Sequence, residues 1–120
     1  MVTNMTTPYL QSIKFEAVAK LLGDTPFHFY CGNLVSAASV SDEQITAGMQ
    51  VERDADAMRK LRTKRNEVLA STDFHVIIAF EKGTPIPPDI VAYRQTLRDL
   101  PETVGTAQVD DDGTLITPIP

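Results

Sequence analysis

Between Ser41 and Ser71 the chain contains no proline and one glycine, Gly48. This run constrains the fold more than any other feature. Ser41 is followed three residues later by Gln44, the spacing of a capping box, in which each residue satisfies a free amide at a helix start. Asp42 and Glu43 fall in the first turn, where the helix dipole favours negative charge, and basic residues gather in the second half. Ile45, Met49, Met58, Leu61, Val68 and Leu69 form an apolar stripe, with a polar gap between Val51 and Ala57. The spacing predicts one helix over about 42–71, roughly 25–30 residues and long for a small domain. Gly48 is its weak point, in the second turn. A helix this long with so thin a stripe cannot bury itself, and needs the rest of the chain or another chain against it.

The flanking segments read as shorter elements. Leu10, Ile13, Ala17 and Leu21 recur at helical spacing after Thr7, a capping residue, and Pro8, which suits a first helical position. A helix is expected over 8–22, stopped by Gly23. Phe27, Phe29 and Cys31 alternate with His28 and Tyr30, which predicts a short strand. Gly32-Asn33 is a turn signal before Leu34 and Val35, so a hairpin can follow. Pro85, Pro87 and Pro88 exclude helix before them and seed a second helix over about 87–100. Ile90, Tyr93, Leu97 and Leu100 share one face of it, and Pro101 is expected to end it. Asp110, Asp111 and Asp112 precede Gly113 in an acidic turn, and Leu115-Ile116 can form a short strand. The last residues, with Pro118 and Pro120, read as an extended tail.

The expected class is mainly α with a small β element (α+β). The long helix and the second helix form a helical hairpin, preceded by an N-terminal helix and a short strand or hairpin. The segments are 1–40, 41–101 and 102–120.

The chemistry of catalysis is sparse. His28 and His75 each sit beside aromatic residues, with no nucleophile placed near them by motif. If His28 and Cys31 share a strand, their three-residue spacing points them to opposite faces. One cysteine and two scattered histidines fall short of a zinc set. The aspartate run lacks the alternating ligands and closing glutamate of a calcium loop. The phosphate-binding glycine loop is missing too. No cofactor is expected, and the chain reads as a non-enzyme. Cys31 has no internal disulfide partner. No apolar run approaches the ~20 residues of a membrane helix, and Met1 to Thr7 lack the pattern of a signal peptide. A chain of net charge −5 does not favour the phosphate backbone. Arg59, Lys60, Arg62, Lys64 and Arg65 form a basic run, but no aromatic residues interleave with it, so it reads as a solvated helix face. Arg65 is a candidate to pair with Asp73 or Asp99. Neither nucleic acid nor membrane is expected as a partner.

Two phrases stand out in the second half. The first consists of Arg62, Arg65, Asn66, Val68, Leu69, Thr72, Asp73 and Phe74. The second consists of Tyr93, Arg94, Gln95, Leu97, Arg98, Asp99, Leu100 and Pro101. In this order and at this separation they resemble the phage tail (fibre) assembly chaperones. In those proteins a basic helix ends in a Thr-Asp-aromatic turn and a later helix ends in a near-verbatim copy of the second phrase. The resemblance spans 59–101, about a third of the chain. Phe74 stands where the family usually has tryptophan, which keeps an aromatic but loses the indole donor. The segment between the phrases is unusually apolar: Val76, Ile77, Ile78, Ala79 and Phe80 are continuous, and read as a strand or an exposed docking surface.

The resemblance implies a protein that binds a tail fibre or other tail component during virion assembly in the host cytoplasm. The alternative is a permanent component of the virion tail, baseplate or fibre attachment site. Homo-oligomers fit either reading. The expected partner-binding residues are Val76, Ile77, Ile78, Phe80, Tyr93 and Leu97. The expected structural-motif residues are Arg65, Asn66, Thr72, Asp73, Phe74, Arg94, Arg98, Asp99 and Pro101. Phe74 is expected to pack as an anchor near Tyr93 and Leu97, against the Arg59-to-Leu69 helix.

Overall fold

The computed structural model describes residues 7–31, 33–36 and 38–120. Four helices and one hairpin occur among the described residues: α1 (Pro8–Leu22), β1 (Phe27–Tyr30), β2 (Asn33–Ser36), α2 (Asp42–Ser71), α3 (Asp73–Lys82) and α4 (Pro88–Val104). The mainly α reading with a small β element holds. The residues group into two compact units, 1–55 with 109–114, and 56–108 with 115–120. The division cuts α2 between Ala55 and Asp56, inside the polar gap of its apolar stripe. The sequence reading took 41–101 as one segment, whereas α2 contributes to both units.

In the first unit, local chemistry sets the helix ends. The Thr7 side chain accepts from the Leu10 amide at 3.2 Å, and Gly23 closes α1 at φ 57. The α2 capping box forms as expected: the Ser41 amide donates to Gln44 Oε1 at 2.9 Å, and the Gln44 amide donates to Ser41 Oγ at 3.1 Å. Ile13, Ala17, Val18 and Leu22 of α1 pack with Ile45 and Met49 of α2. A side chain at Gly48 would place its Cβ 3.2 Å from the Ala17 Cβ. The expected weak point of the helix is thus a close approach to α1, where an added Cβ would be tight against Ala17.

β1 and β2 are antiparallel, with Phe27 opposite Ser36 and Tyr30 opposite Asn33. Phe27, Phe29 and Leu34 lie against the helical core. Cys31 is therefore in the turn, not on the strand with His28, and its φ of 51 is left-handed. Asn33, expected as a turn residue, opens β2, and Gly32 lies outside the described residues.

The acidic turn belongs to this unit. Asp110 Oδ1 accepts the amides of Asp112 and Thr114, each at 2.9 Å, which is an Asx turn and no ion site. Thr7 Oγ1 donates to the Asp111 carbonyl at 2.6 Å, and Arg53 donates to the Val109 carbonyl at 2.8 Å and pairs with Asp111 at 3.1 Å.

In the second unit the buried apolar side chains come from α2 (Ala57, Leu61), α3 (Ala79), α4 (Leu97, Leu100) and Ala107. The contacts between α2 and α4 run in opposite directions: Arg94 reaches the Leu69 carbonyl and Arg65 reaches the Arg98 carbonyl. The expected helical hairpin is present, but with an extra helix between its arms. Val76 to Phe80 do not form a strand, because they lie on α3. β-branched residues favour strands only where a neighbouring strand pairs with them, and the one sheet described is β1–β2. Asp73 favours the helix start, and Gly83 at φ 65 closes it with a Schellman motif, its Thr84 amide reaching the Ala79 carbonyl at 3.0 Å.

Pro101 does not end α4. The helix continues to Val104 and stops at Gly105, φ 73. Pro101 withholds one donor, but its own carbonyl still accepts the Gly105 amide at 3.3 Å, and buried Leu100 holds the turn in place. Leu115 forms an isolated bridge instead of a strand. The tail is held by hydrogen bonds: the Gln108 amide donates to Thr117 Oγ1 at 2.8 Å, and the Tyr93 hydroxyl donates to the Pro120 carbonyl at 2.7 Å.

Gly113 gives a direct test of the first unit. Its φ is 81, and a Cβ there would lie 2.5 Å from Tyr9 Cδ1. Gly113→Ala therefore combines backbone strain with a collision against a ring, and is expected to lower stability by about 1–3 kcal/mol in urea denaturation.

Candidate functional site

The α2–α3 junction is organised by one arginine. Thr72 separates the two helices while keeping helical backbone angles, φ −98 and ψ −4. Its hydroxyl donates to the Leu69 carbonyl at 2.7 Å, as expected of a threonine at a helix end. Arg94 Nη1, from α4, donates to three acceptors here: Thr72 Oγ1 at 2.6 Å, Asp73 Oδ1 at 2.8 Å and the Leu69 carbonyl at 3.2 Å. Its side chain is only 15 % exposed. Thr72 and Asp73 close the first sequence phrase, and Arg94 opens the second. Residues two dozen positions apart thus meet at one point.

The other motif residues take simpler places. Arg65 pairs with neither Asp73 nor Asp99. Its Nε donates to Asn66 Oδ1 at 3.0 Å and its Nη1 to the Arg98 carbonyl at 3.3 Å. Asp73 is taken by Arg94, and Asp99 accepts from Gln95 Nε2 at 2.9 Å, one helical turn away. In the basic run, Arg59, Arg62 and Lys64 are exposed and Lys60 is half-buried. Arg59 and Lys60 flank buried Asp56 at 2.7 and 2.9 Å, so the run also neutralises a carboxylate within the helix.

Phe74 is not a buried anchor. It is 53 % exposed and lies over the His75 ring, centroids 3.9 Å apart. The buried anchor is Leu97, at 0 % exposure. The sequence reading set Leu97 facing the long helix and also named it for partner contact, and its burial agrees with the first of these; Phe74, expected beside it as an anchor, lies outside. Leu97 is covered by its own chain, and Tyr93 is half-buried with its hydroxyl committed to the tail.

The remaining expected contact residues form a surface. Ile77 is 56 % exposed, Ile78 41 % and Phe80 87 %, with Val76 half-buried beside them. Phe74, Ile77 and Ile78 stand at i, i+3 and i+4 and so share a helical face, with Phe80 adjoining it. Of this helix only Ala79 is buried. α3 thus presents large apolar side chains outward and a small one inward, the reverse of an ordinary surface helix.

Among the described residues no group of three or more His, Cys, Asp or Glu is placed to hold a metal ion. No described helix is long and apolar enough to cross a membrane. His28 is exposed on β1, and His75 is engaged with Phe74.

Residues 58–110 match the phage tail assembly chaperone protein family. The match encloses both phrases, the Arg94 junction and the whole of α3, and it bears out the resemblance read from the phrases. It reaches further than that resemblance did, taking in the end of α4 and the segment up to Asp110. Comparison with curated proteins and with solved structures finds no match.

The burial of Leu97 and the exposure of Phe74 are measurable as stability. Leu97→Ala should lower unfolding stability by about 2–5 kcal/mol, the usual range for emptying a buried leucine site. Phe74→Ala, which removes a half-exposed ring, should change it by less than about 1 kcal/mol, as most surface substitutions do. Urea denaturation of both variants, followed by circular dichroism, gives the comparison.

Proposed function

We propose that this protein binds a phage tail protein, most specifically a tail fibre, during virion assembly in the host cell, and that α3 is its binding face. The observation that carries the reading is the outward presentation of Phe74, Ile77, Ile78 and Phe80 on one ten-residue helix. Contiguous apolar surface of this kind usually marks an interaction site in a protein that must stay in solution. It lies wholly within the segment that matches the tail assembly chaperone family. That family name supplies the class of partner, and the geometry supplies the means of contact.

The activity is one of binding, not catalysis. A chaperone of this type covers apolar surface on its client until the client's own subunits replace it. The contact must therefore be reversible. A single short helix suits that need, because specific stable interfaces commonly bury roughly 1,200–2,000 Å² and one helix face supplies only part of this. The polar rim of α3, Asp73 at its start and Glu81 and Lys82 at its end, would orient the client and add little affinity.

The experiment is co-expression with each neighbouring tail gene, followed by affinity capture. Wild-type protein should capture one tail protein. Ile77→Asp and Phe80→Glu should each reduce capture at least tenfold while leaving the helical circular dichroism unchanged, since both side chains face solvent. Capture unaffected by both substitutions would remove α3 from the reading. Mass spectrometry of purified virions then separates transient from permanent contact: the protein should be absent from mature particles. Stoichiometric presence would instead identify a structural tail component.

A further inference from the structure

In a continuous helix the Leu69 carbonyl would accept the amide of Asp73, four residues on. Here it accepts the Thr72 amide at 3.0 Å, the Thr72 hydroxyl at 2.7 Å and Arg94 Nη1 at 3.2 Å. The local signals for a break here are Thr72 and Asp73 alone. Neither glycine nor proline occurs between Met49 and Lys82. Thr72 makes no side-chain cap to α3, and its backbone remains helical. The His75 amide reaches the Thr72 carbonyl at 3.2 Å, a tightened turn in place of a stop. The strongest interaction at the break comes from a distant element. A guanidinium from α4, largely shielded from water, occupies the acceptors that a straight helix would use or leave free. Charge-assisted hydrogen bonds of this kind are about twice as strong as neutral ones.

We propose that the α2–α3 junction is a latch, with Arg94 as its positioning residue. While Arg94 holds Leu69, Thr72 and Asp73, residues 42–82 form two helices, and α3 presents its apolar side chains in one direction. When Arg94 lets go, the Leu69 carbonyl takes the Asp73 amide and residues 42–82 become one continuous helix, which carries Phe74, Ile77, Ile78 and Phe80 along the α2 axis. The significance for binding rests on the reading of α3 as the client face. The conformational change itself does not, because it is a property of the free protein. The latch gives a client a means of release: a contact that competes for Asp73 or Thr72 would loosen Arg94 and re-aim the face that holds the client.

The test measures the angle at the junction without any partner. In a Cys31→Ser background, spin labels are placed at Arg62→Cys in α2 and Glu81→Cys in α3, both exposed positions, and their separation is read by pulsed electron resonance. Arg94→Ala should lengthen the separation towards the about 28 Å that this stretch spans as straight helix. The double variant Thr72→Ala with Asp73→Ala should lengthen it in the same sense, because it removes two acceptors and leaves α4 untouched. If Arg94→Ala loses helical circular dichroism, the double variant decides. An unchanged separation in a folded variant overturns the latch. That outcome leaves the binding face standing, since capture of tail proteins is read separately and without labels. Loss of capture in Ile77→Asp with the labelled distance unchanged would conversely support the face independently of the latch.

Discussion

The Arg94 guanidinium is the interaction on which the second unit depends. It is nearly buried, and a buried cation is stable only when its donors are matched by acceptors. Leu69, Thr72 and Asp73 supply three acceptors at the point where α2 ends. A helix end leaves carbonyls without helical donors, and a buried arginine needs acceptors. Each need is met by the other. The consequence is geometric. α2 stops at Ser71, α3 leaves at Asp73, and α4 returns antiparallel to α2 after the proline-bearing connection.

α2 serves two cores through one uninterrupted backbone. Ile45 and Met49 belong to the first unit, and Ala57 and Leu61 lie in the second. Between them the helix carries Glu52, Arg53, Asp54 and Asp56, and these charges are used locally. Glu52 pairs with Lys20 at 2.5 Å, Arg53 with Asp111, and Asp56 with Arg59 and Lys60. A stripe too thin to bury a whole helix is sufficient when each half has its own cover. In the first unit that cover comes near enough that a Cβ on Gly48 would lie 3.2 Å from the Ala17 Cβ. The aromatic residues of the hairpin, Phe27 and Phe29, pack against this core, with the Phe15 ring tilted against Phe27 at 5.1 Å.

α3 is the element whose composition fits least with burial inside its own unit. Its ten residues include two phenylalanines, two isoleucines and a valine, yet the one residue it buries is an alanine. Exposed apolar area of this extent disfavours a free chain in water by roughly 25 cal/mol per Å² left uncovered. A function in covering another protein gives that cost a use.

What the sequence by itself determined lies within four residues of its cause. Thr7 and Pro8 start α1 and Gly23 stops it. Ser41 and Gln44 start α2, and Asp112-Gly113 makes a turn, because a cap or a turn is completed by neighbouring atoms along the chain. The antiparallel return of the second helix and the family resemblance were legible for a related reason: periodic apolar faces and two long phrases survive without knowledge of contacts. The tertiary structure decided everything that depends on which distant element arrives. It made 76–80 helix where β-branched residues suggest strand, because no strand among the described residues lies beside them. It carried α4 past Pro101, because buried Leu100 outweighs one lost hydrogen bond. It put Leu97 inside and Phe74 outside, although both are large and apolar, because burial belongs to the side that another helix covers. It also brought Arg94 to Thr72, a pairing that no local spacing encodes, because a carbonyl freed at a helix end takes whichever donor the fold delivers.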